Sequence, residues 1–152
     1  MGSPCRLTVT VRRTEDPAEI TAAHELRVRV FCGEQGVDAS EEIDEHEASA
    51  TQVVALDESG VVATCRLRMV DGACKLERMA VERGLRGSGV GSRLLAGAEE
   101  IAREDGASRM VLHAQTRARG FYAGSGYEAE GELFMEAGIE HVRMSKPLAE
   151  RP

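Results

Sequence analysis

The stretch from Lys75 to Glu104, KLERMAVERGLRGSGVGSRLLAGAEEIARE, decides the fold. KLERMAV (75–81) reads as a strand and SRLLAGAEEIARE (92–104) as a helix, with three glycines in RGSGVG (86–91) between them. Glycine costs about 1 kcal/mol inside a helix relative to alanine. Gly87, Gly89 and Gly91 therefore serve a backbone that turns tightly or lies against something. A strand, a glycine turn and a helix start make a ready anion site, because the first helical N–H groups lack partners and carry about half a positive charge. A purely structural turn is the plain alternative. Two phosphate motifs fall away. A P-loop needs a lysine after its glycines, and none follows these. GSGVGS approaches the dinucleotide fingerprint, with Ser92 in the third glycine's place, but the strand after the helix ends in HAQTR and offers no acid to a ribose.

Outward from this stretch the chain alternates strands and helices. CRLTVTVRR places Leu7, Val9 and Val11 on one face of a first strand. DPAEITAAHELRVRVF predicts a helix with Asp16 as N-cap and Pro17 at the first helical position, ending at Phe31. Cys32 to Thr51 is polar and reads as a long loop. TQVVALDESGVVATCRLRMV gives two strands joined at Glu58-Ser59-Gly60, and Asp71-Gly72 signals a hairpin into KLERMAV. SRMVLHAQ is a short strand, ARGFYAGSGY a short helix stopped by Gly124 and Gly126, and EAEGELFME and HVRMSKPL are two last strands meeting near Gly138. The order β-α-β-β-β-α-β-α-β-β predicts a single α/β domain with a mixed sheet over residues 1–152.

Composition limits the function. The 42% hydrophobic and 30% charged content suits a globular protein, without an apolar run long enough for a membrane span or the apolar segment of a signal peptide, so a cytoplasmic protein is expected. A net charge of −7 argues against nucleic acid as a partner. Cys5, Cys32, Cys65 and Cys74 form no C-x-x-C pair and the four histidines are scattered, so reduced thiols and no metal site are expected. The run Asp38–Glu47 holds six carboxylates and no Lys or Arg, either as a solvated loop or as a mouth that attracts a cation.

Four segments together resemble the GNAT superfamily, the Gcn5-related N-acetyltransferases. RGSGVG is similar to that family's R-x-x-G-x-G motif, and FYAGSGY (121–127) to its F-Y-x-x-x-G-[FY] segment. RVRVFCGEQGV (27–37) and GELFMEAGIEHVRM (131–144) resemble the ElaA-like branch, from which His46 and Gln52 depart. The resemblance implies a mostly antiparallel sheet of about seven strands, splayed between KLERMAV and SRMVLHAQ to admit acetyl-CoA, with a primary amine as acceptor and a homodimer compatible with the fold. It implies that Arg86, Gly87, Ser88, Gly89, Val90, Gly91 and Ser92 cradle the pyrophosphate through main-chain amides, and that Met79, Ala80 and Val81 pair with the pantetheine arm. Tyr122 matches the tyrosine that protonates the departing sulfur, although packing against the cofactor is its simpler role, and Phe121 is a cofactor wall. For the general base, Glu77 stands on the cofactor strand, where alternation puts it on the face of Met79 and Val81. His113 and His141 are the other candidates, and a water relay needs none of them. Glu34 and Gln35 fall at the acceptor wall, where Glu34 either pairs with the substrate ammonium or caps the loop, and Arg29 braces a loop acid. A non-catalytic CoA-binding protein and a homoserine-lactone-synthase-like acyl transfer are the rival readings.

Overall fold

Asp16 starts the first helix as its side chain predicts: Oδ1 accepts from the amides of Ala18 (2.8 Å) and Glu19 (3.3 Å), with Pro17 in the first turn. The computed structural model describes residues 8–38 and 44–149. In chain order these form β1 (Thr10–Thr14), α1 (Pro17–Arg27), β2 (Thr51–Asp57), β3 (Gly60–Val70), β4 (Ala73–Val81), α2 (Val90–Glu104), β5 (Arg109–Gln115), α3 (Arg119–Ala123), β6 (Glu128–Glu136) and β7 (Ile139–Pro147). The seven strands make one sheet in the order β1-β2-β3-β4-β5-β7-β6. All neighbours are antiparallel except β4 and β5. This is the predicted element order, a GNAT-type fold. Leu7 and Cys5 of the predicted first strand lie outside the described residues.

Where the sequence expects α1 to end at Phe31, the helix instead widens into π-helical turns over Val28–Glu34. Gln35 N donates to Val30 O (3.2 Å) and Val37 N to Phe31 O (2.8 Å). The wider turns seat Val30 against Leu26 and Ala80 and carry Glu34 and Gln35 round toward the glycine turn and β5.

Leu94, Leu95, Ala98, Ile101 and Ala102 of α2 are buried against one face of the sheet, with Leu67, Leu76, Met110 and Leu112. Gly97 sits where β1 crosses this helix. A Cβ there would lie 2.4 Å from Val11 Cγ1, so only glycine allows the approach. The β3–β4 turn uses Asp71 (φ 52°) and Gly72 (φ 80°), and the β6–β7 turn uses Ala137 (φ 52°) and Gly138 (φ 75°). Two successive left-handed residues match the right-handed twist of a hairpin.

Two irregularities on β4 create the site. Its parallel ladder with β5 runs only from Ala73–Arg109 to Leu76–Leu112, after which the strands part. At Arg78 (φ 56°) the register with β3 slips, so that Glu77 faces Arg66 while Ala80 faces Thr64. The predicted alternation fails there. Met79 and Val81 pack toward the α2 core, whereas Glu77 and Ala80 lie on the α1 face.

Candidate active site

The three glycines of the opening stretch divide their work. Gly87 (φ 81°) and Gly89 (φ 95°) take left-handed backbone that reverses the chain, while Gly91 lies against Phe121 and Met79, which a Cβ would meet at 3.4–3.5 Å. Gly89 is the N-cap of α2 and brings no side chain to the first amides, which the geometry of a helix leaves unpaired at Val90, Gly91 and Ser92. Ser88 Oγ is turned back to Leu85 O. Arg86 does not reach over the turn as free charge. Its Nη1 and Nη2 donate to Glu34 Oε1 (2.7 Å) and Oε2 (3.0 Å), and its Nε to Val81 O (3.2 Å). Glu34 is thus neither a helix cap nor an open ammonium site, and Arg86 holds its carboxyl below the usual range. Arg29 pairs with Glu82 (2.9 Å) and not with the loop.

A cleft of about 1140 Å³ runs from this turn through the parted β4 and β5 to the α1 face. Met79, Ala80, Val81, Arg86, Gly87, Gly89, Gly91, Ser92, Phe121 and Tyr122 line its one end, and Gln35, Glu77, His113 and His141 its other. Tyr122 is 9% exposed, and its Oη donates to Met79 Sδ at 3.4 Å. Burial pushes its pKa upward, so the phenol keeps its proton. Gln35 Oε1 accepts from Gln115 Nε2 (2.7 Å), whose Oε1 accepts from Arg117 Nε (3.0 Å), tying the end of the first helix to β5.

Glu77 is caged. Arg68 Nε (2.7 Å), Arg66 Nε (3.1 Å) and Lys75 Nζ (3.3 Å) surround its carboxylate. Burial works against its charge, but the Arg68 hydrogen bonds and the charges of Arg66 and Lys75 prevail and hold it down to about 2. A carboxylate so weakly basic is poorly matched to taking a proton from an ammonium at neutral pH. The acids Asp44 and Glu47 likewise turn inward instead of forming a cation-gathering mouth. Fully buried Arg66 donates to Asp44 Oδ1 (2.8 Å) and Oδ2 (2.5 Å) and to Glu47 Oε1 (2.9 Å). Buried Arg27 and Gln52 also hold Glu47, at 2.7 Å and 2.8 Å. His46 lines the cleft beside them.

His113 Nδ1 lies 3.2 Å from Glu136 Oε1, and its ring meets Phe134 edge-on at 4.9 Å. His141 stacks on the other side of Phe134 at 5.9 Å, and its Nδ1 lies 2.7 Å from Ile139 O. Glu136 and Phe134 were not singled out by the sequence. Their signal is the alternation Phe134-x-Glu136 opposite His141, legible only once the β6–β7 register is known. Burial pushes Cys74 up to about 12 and raises Cys65 further, which leaves neither as an acyl carrier. Among the described residues, no group of three or more His, Cys, Asp or Glu is placed to hold a metal, and no helix is long and apolar enough to cross a membrane.

A parted parallel seam, an uncapped helix start and a buried phenol in one cleft define an acyltransferase of GNAT type. The chain belongs to the acetyltransferase (GNAT) domain family, whose sequence profile matches residues 18–148. The Bacillus subtilis N-acetyltransferase YjcF is 41% identical over 129 residues, covering 84% of this chain and 92% of that protein. A Lactobacillus plantarum structure superimposes with a TM-score of 0.86 at 29% identity, over 93% of this chain and 99% of the other. Escherichia coli ElaA shares the fold with a TM-score of 0.80 at 22% identity, over 91% of this chain and 99% of its own.

Proposed function

We propose that the protein transfers an acetyl group from acetyl-CoA to a primary amine by direct attack in a ternary complex. The observation that carries this reading is the continuity of one cleft from the Gly87–Gly91 turn to Tyr122 and on to the α1 face. The residues fit the donor. Free amides at Val90, Gly91 and Ser92 suit a diphosphate, and the backbone of Met79–Val81, past the end of the β4–β5 ladder, suits the amide groups of a pantetheine arm. Acetyl-CoA supplies the activated thioester carbonyl.

The chain supplies the proton handling. An ammonium must shed a proton to expose its lone pair, and the departing thiolate needs one. Tyr122, buried and protonated, is the donor to sulfur, and the amine's second proton restores the phenol through solvent. Of the three base candidates, His113 stands at the fork itself, one residue beyond the last rung of the β4–β5 ladder. Calorimetry with acetyl-CoA, combined with thiol release in the presence of polyamines, amino sugars and peptides, tests the assignment. Tyr122→Phe should lower kcat by about 10²-fold or more while acetyl-CoA affinity holds. Unchanged turnover removes Tyr122 from the reaction.

A further inference from the structure

Among the described residues, three carboxylates line the cleft: Asp44, Glu77 and Glu136. Arg66 and Arg78 hold the first, and Arg66, Arg68 and Lys75 the second. Permanent cations therefore already answer those two charges. Glu136 differs. Its contacts are imidazoles, His113 Nδ1 at 3.2 Å and His141 Nε2 at 3.7 Å, and its side chain is 48% exposed to the cleft.

We propose that Glu136 receives the ammonium of the acceptor and holds His113 in position to take its proton. The proposal rests on the acetyltransferase reading and names the acceptor half of that site. Hydrogen-bond geometry carries it. His141 Nδ1 is within 2.7 Å of a carbonyl, Ile139 O, which can only accept, so Nδ1 bears the ring proton. In its neutral form the ring presents Nε2 as an acceptor toward Glu136 Oε2, 3.7 Å away. An ammonium has three N–H donors and a charge, and it answers both. His113 follows the same logic: Nδ1–H donates to Glu136 Oε1, which leaves Nε2 with a lone pair. In the reaction an N–H bond of the ammonium breaks, its electron pair stays on nitrogen, and the proton adds to His113 Nε2 before leaving to solvent. Phe134 fixes both rings, edge to one and face to the other.

The charged groups facing this cluster are Lys75 and Glu77 from β4, His141 and Arg143 from β7, and Glu130 from β6. Arg143 is itself paired with Glu130 (3.3 Å). The Glu136 carboxyl is held below its ordinary value by the hydrogen bond from His113 and by the nearby His141 and Lys75, so it is ionised at neutral pH, where an alkylamine is protonated.

The test uses the full chain with ¹⁵N-labelled histidines, saturated with coenzyme A, and phenethylamine as the probe. In the wild-type protein His113 should appear as the Nδ1–H tautomer, and phenethylammonium should shift the His113 and His141 signals saturably. Glu136→Gln should erase the His113 tautomer preference and weaken the amine by about tenfold or more, the scale of one charged hydrogen bond. Glu136→Asp should restore part of both. Coenzyme A affinity should be equal in all three proteins, which shows that each is folded. Coenzyme A binding with the His113 tautomer unchanged by Glu136→Gln, or with no amine-dependent shift in the wild type, overturns the proposal. Absence of coenzyme A binding in the wild type sinks the acetyltransferase reading instead, and the role of Glu136 with it.

Discussion

Beneath α2 the sheet packs Leu67, Leu76, Met110 and Leu112 against Leu94, Leu95 and Ile101, whereas beneath α1 it buries Arg27 and Arg66 among Glu47, Asp44 and Glu77. One face is held by hydrocarbon, and the buried Glu99 carboxylate on it is answered by Tyr127 Oη (2.8 Å) and Lys146 Nζ (3.0 Å). The other is held by a charge network whose members come from α1, the segment after Asp44, β3 and β4. Hydrocarbon contacts tolerate small shifts and fill space. A charge network demands one geometry, because each ion removed from water must find its partner. The split parallels the proposed function: the apolar face carries the glycine turn proposed to bind the donor, and the charged face forms the floor of the end proposed to receive the acceptor.

Arg66→Met breaks the comparison most severely. It leaves Asp44, Glu47 and Glu77 with reduced counter-charge, and the scale for such a loss is about 3–5 kcal/mol of unfolding free energy. The midpoint of urea unfolding measures it. A loss no larger than that of an exposed arginine would mean that the network is ornamental.

The same network makes stability depend on acid. Arg27 and His24 hydrogen bonds outweigh burial and hold Glu47 down to about 2, as the Arg68 and Arg66 contacts do for Glu77, against an ordinary value of 4.5. Folded values depressed in this way stabilise the protein fully above the unfolded value and lose that contribution as pH falls. Unfolding free energy should therefore drop between pH 4.5 and pH 2, by up to ~1.4 kcal/mol per pH unit for each carboxylate. In Arg66→Met the slope should flatten. An equal slope in both proteins would place the acid sensitivity elsewhere.

What was legible in the sequence follows the same division. The glycine-turn half of the cleft is written locally: a strand, three glycines and a helix stand next to one another, and their order fixes the turn. The helix capped by Asp16, the Asp71-Gly72 hairpin and the buried stripe of α2 were readable for that reason. The charged half is written across the chain. Arg66 and Arg68 look like the outward positions of an alternating strand, and nothing near them reveals that Asp44 and Glu47 fold back onto Arg66. Glu77 was assigned the wrong face because the bulge at Arg78 has no sequence mark: arginine is an unusual occupant of left-handed backbone. The pairing of the Arg86 side chain with Glu34 is equally illegible, because the two stand 52 residues apart. The π-helical widening of Val28–Glu34 escaped for a related reason, since ordinary helical periodicity continues through it.

Gly97→Ala sharpens the apolar side of the comparison. Alanine improves helix propensity by about 1 kcal/mol, which alone predicts a more stable protein. The added methyl meets Val11 at 2.4 Å, however, and β1 must move. Overpacking of this kind costs about 1–3 kcal/mol, so the net change should be a loss. Val11→Ala in the same chain should recover most of it. A gain in melting temperature from Gly97→Ala alone would show that β1 is free to shift.

The smallest expected change lies at the β6–β7 turn, beside the acceptor end of the cleft. Ala137 occupies left-handed backbone at φ 52°, with Gly138 at φ 75° after it. Alanine gains nothing there, whereas asparagine bonds its own backbone and accepts this conformation, which makes Asn-Gly the favoured pair for such a hairpin. Ala137→Asn should stabilise the chain by about 0.5 kcal/mol, read as a small rise in melting temperature. Because Ala137 follows Glu136 directly, the variant also separates fold from site. A stiffer turn should leave the histidine tautomer at His113 in place, whereas a shift in that tautomer would mean that the turn, and not the carboxylate, sets the ring.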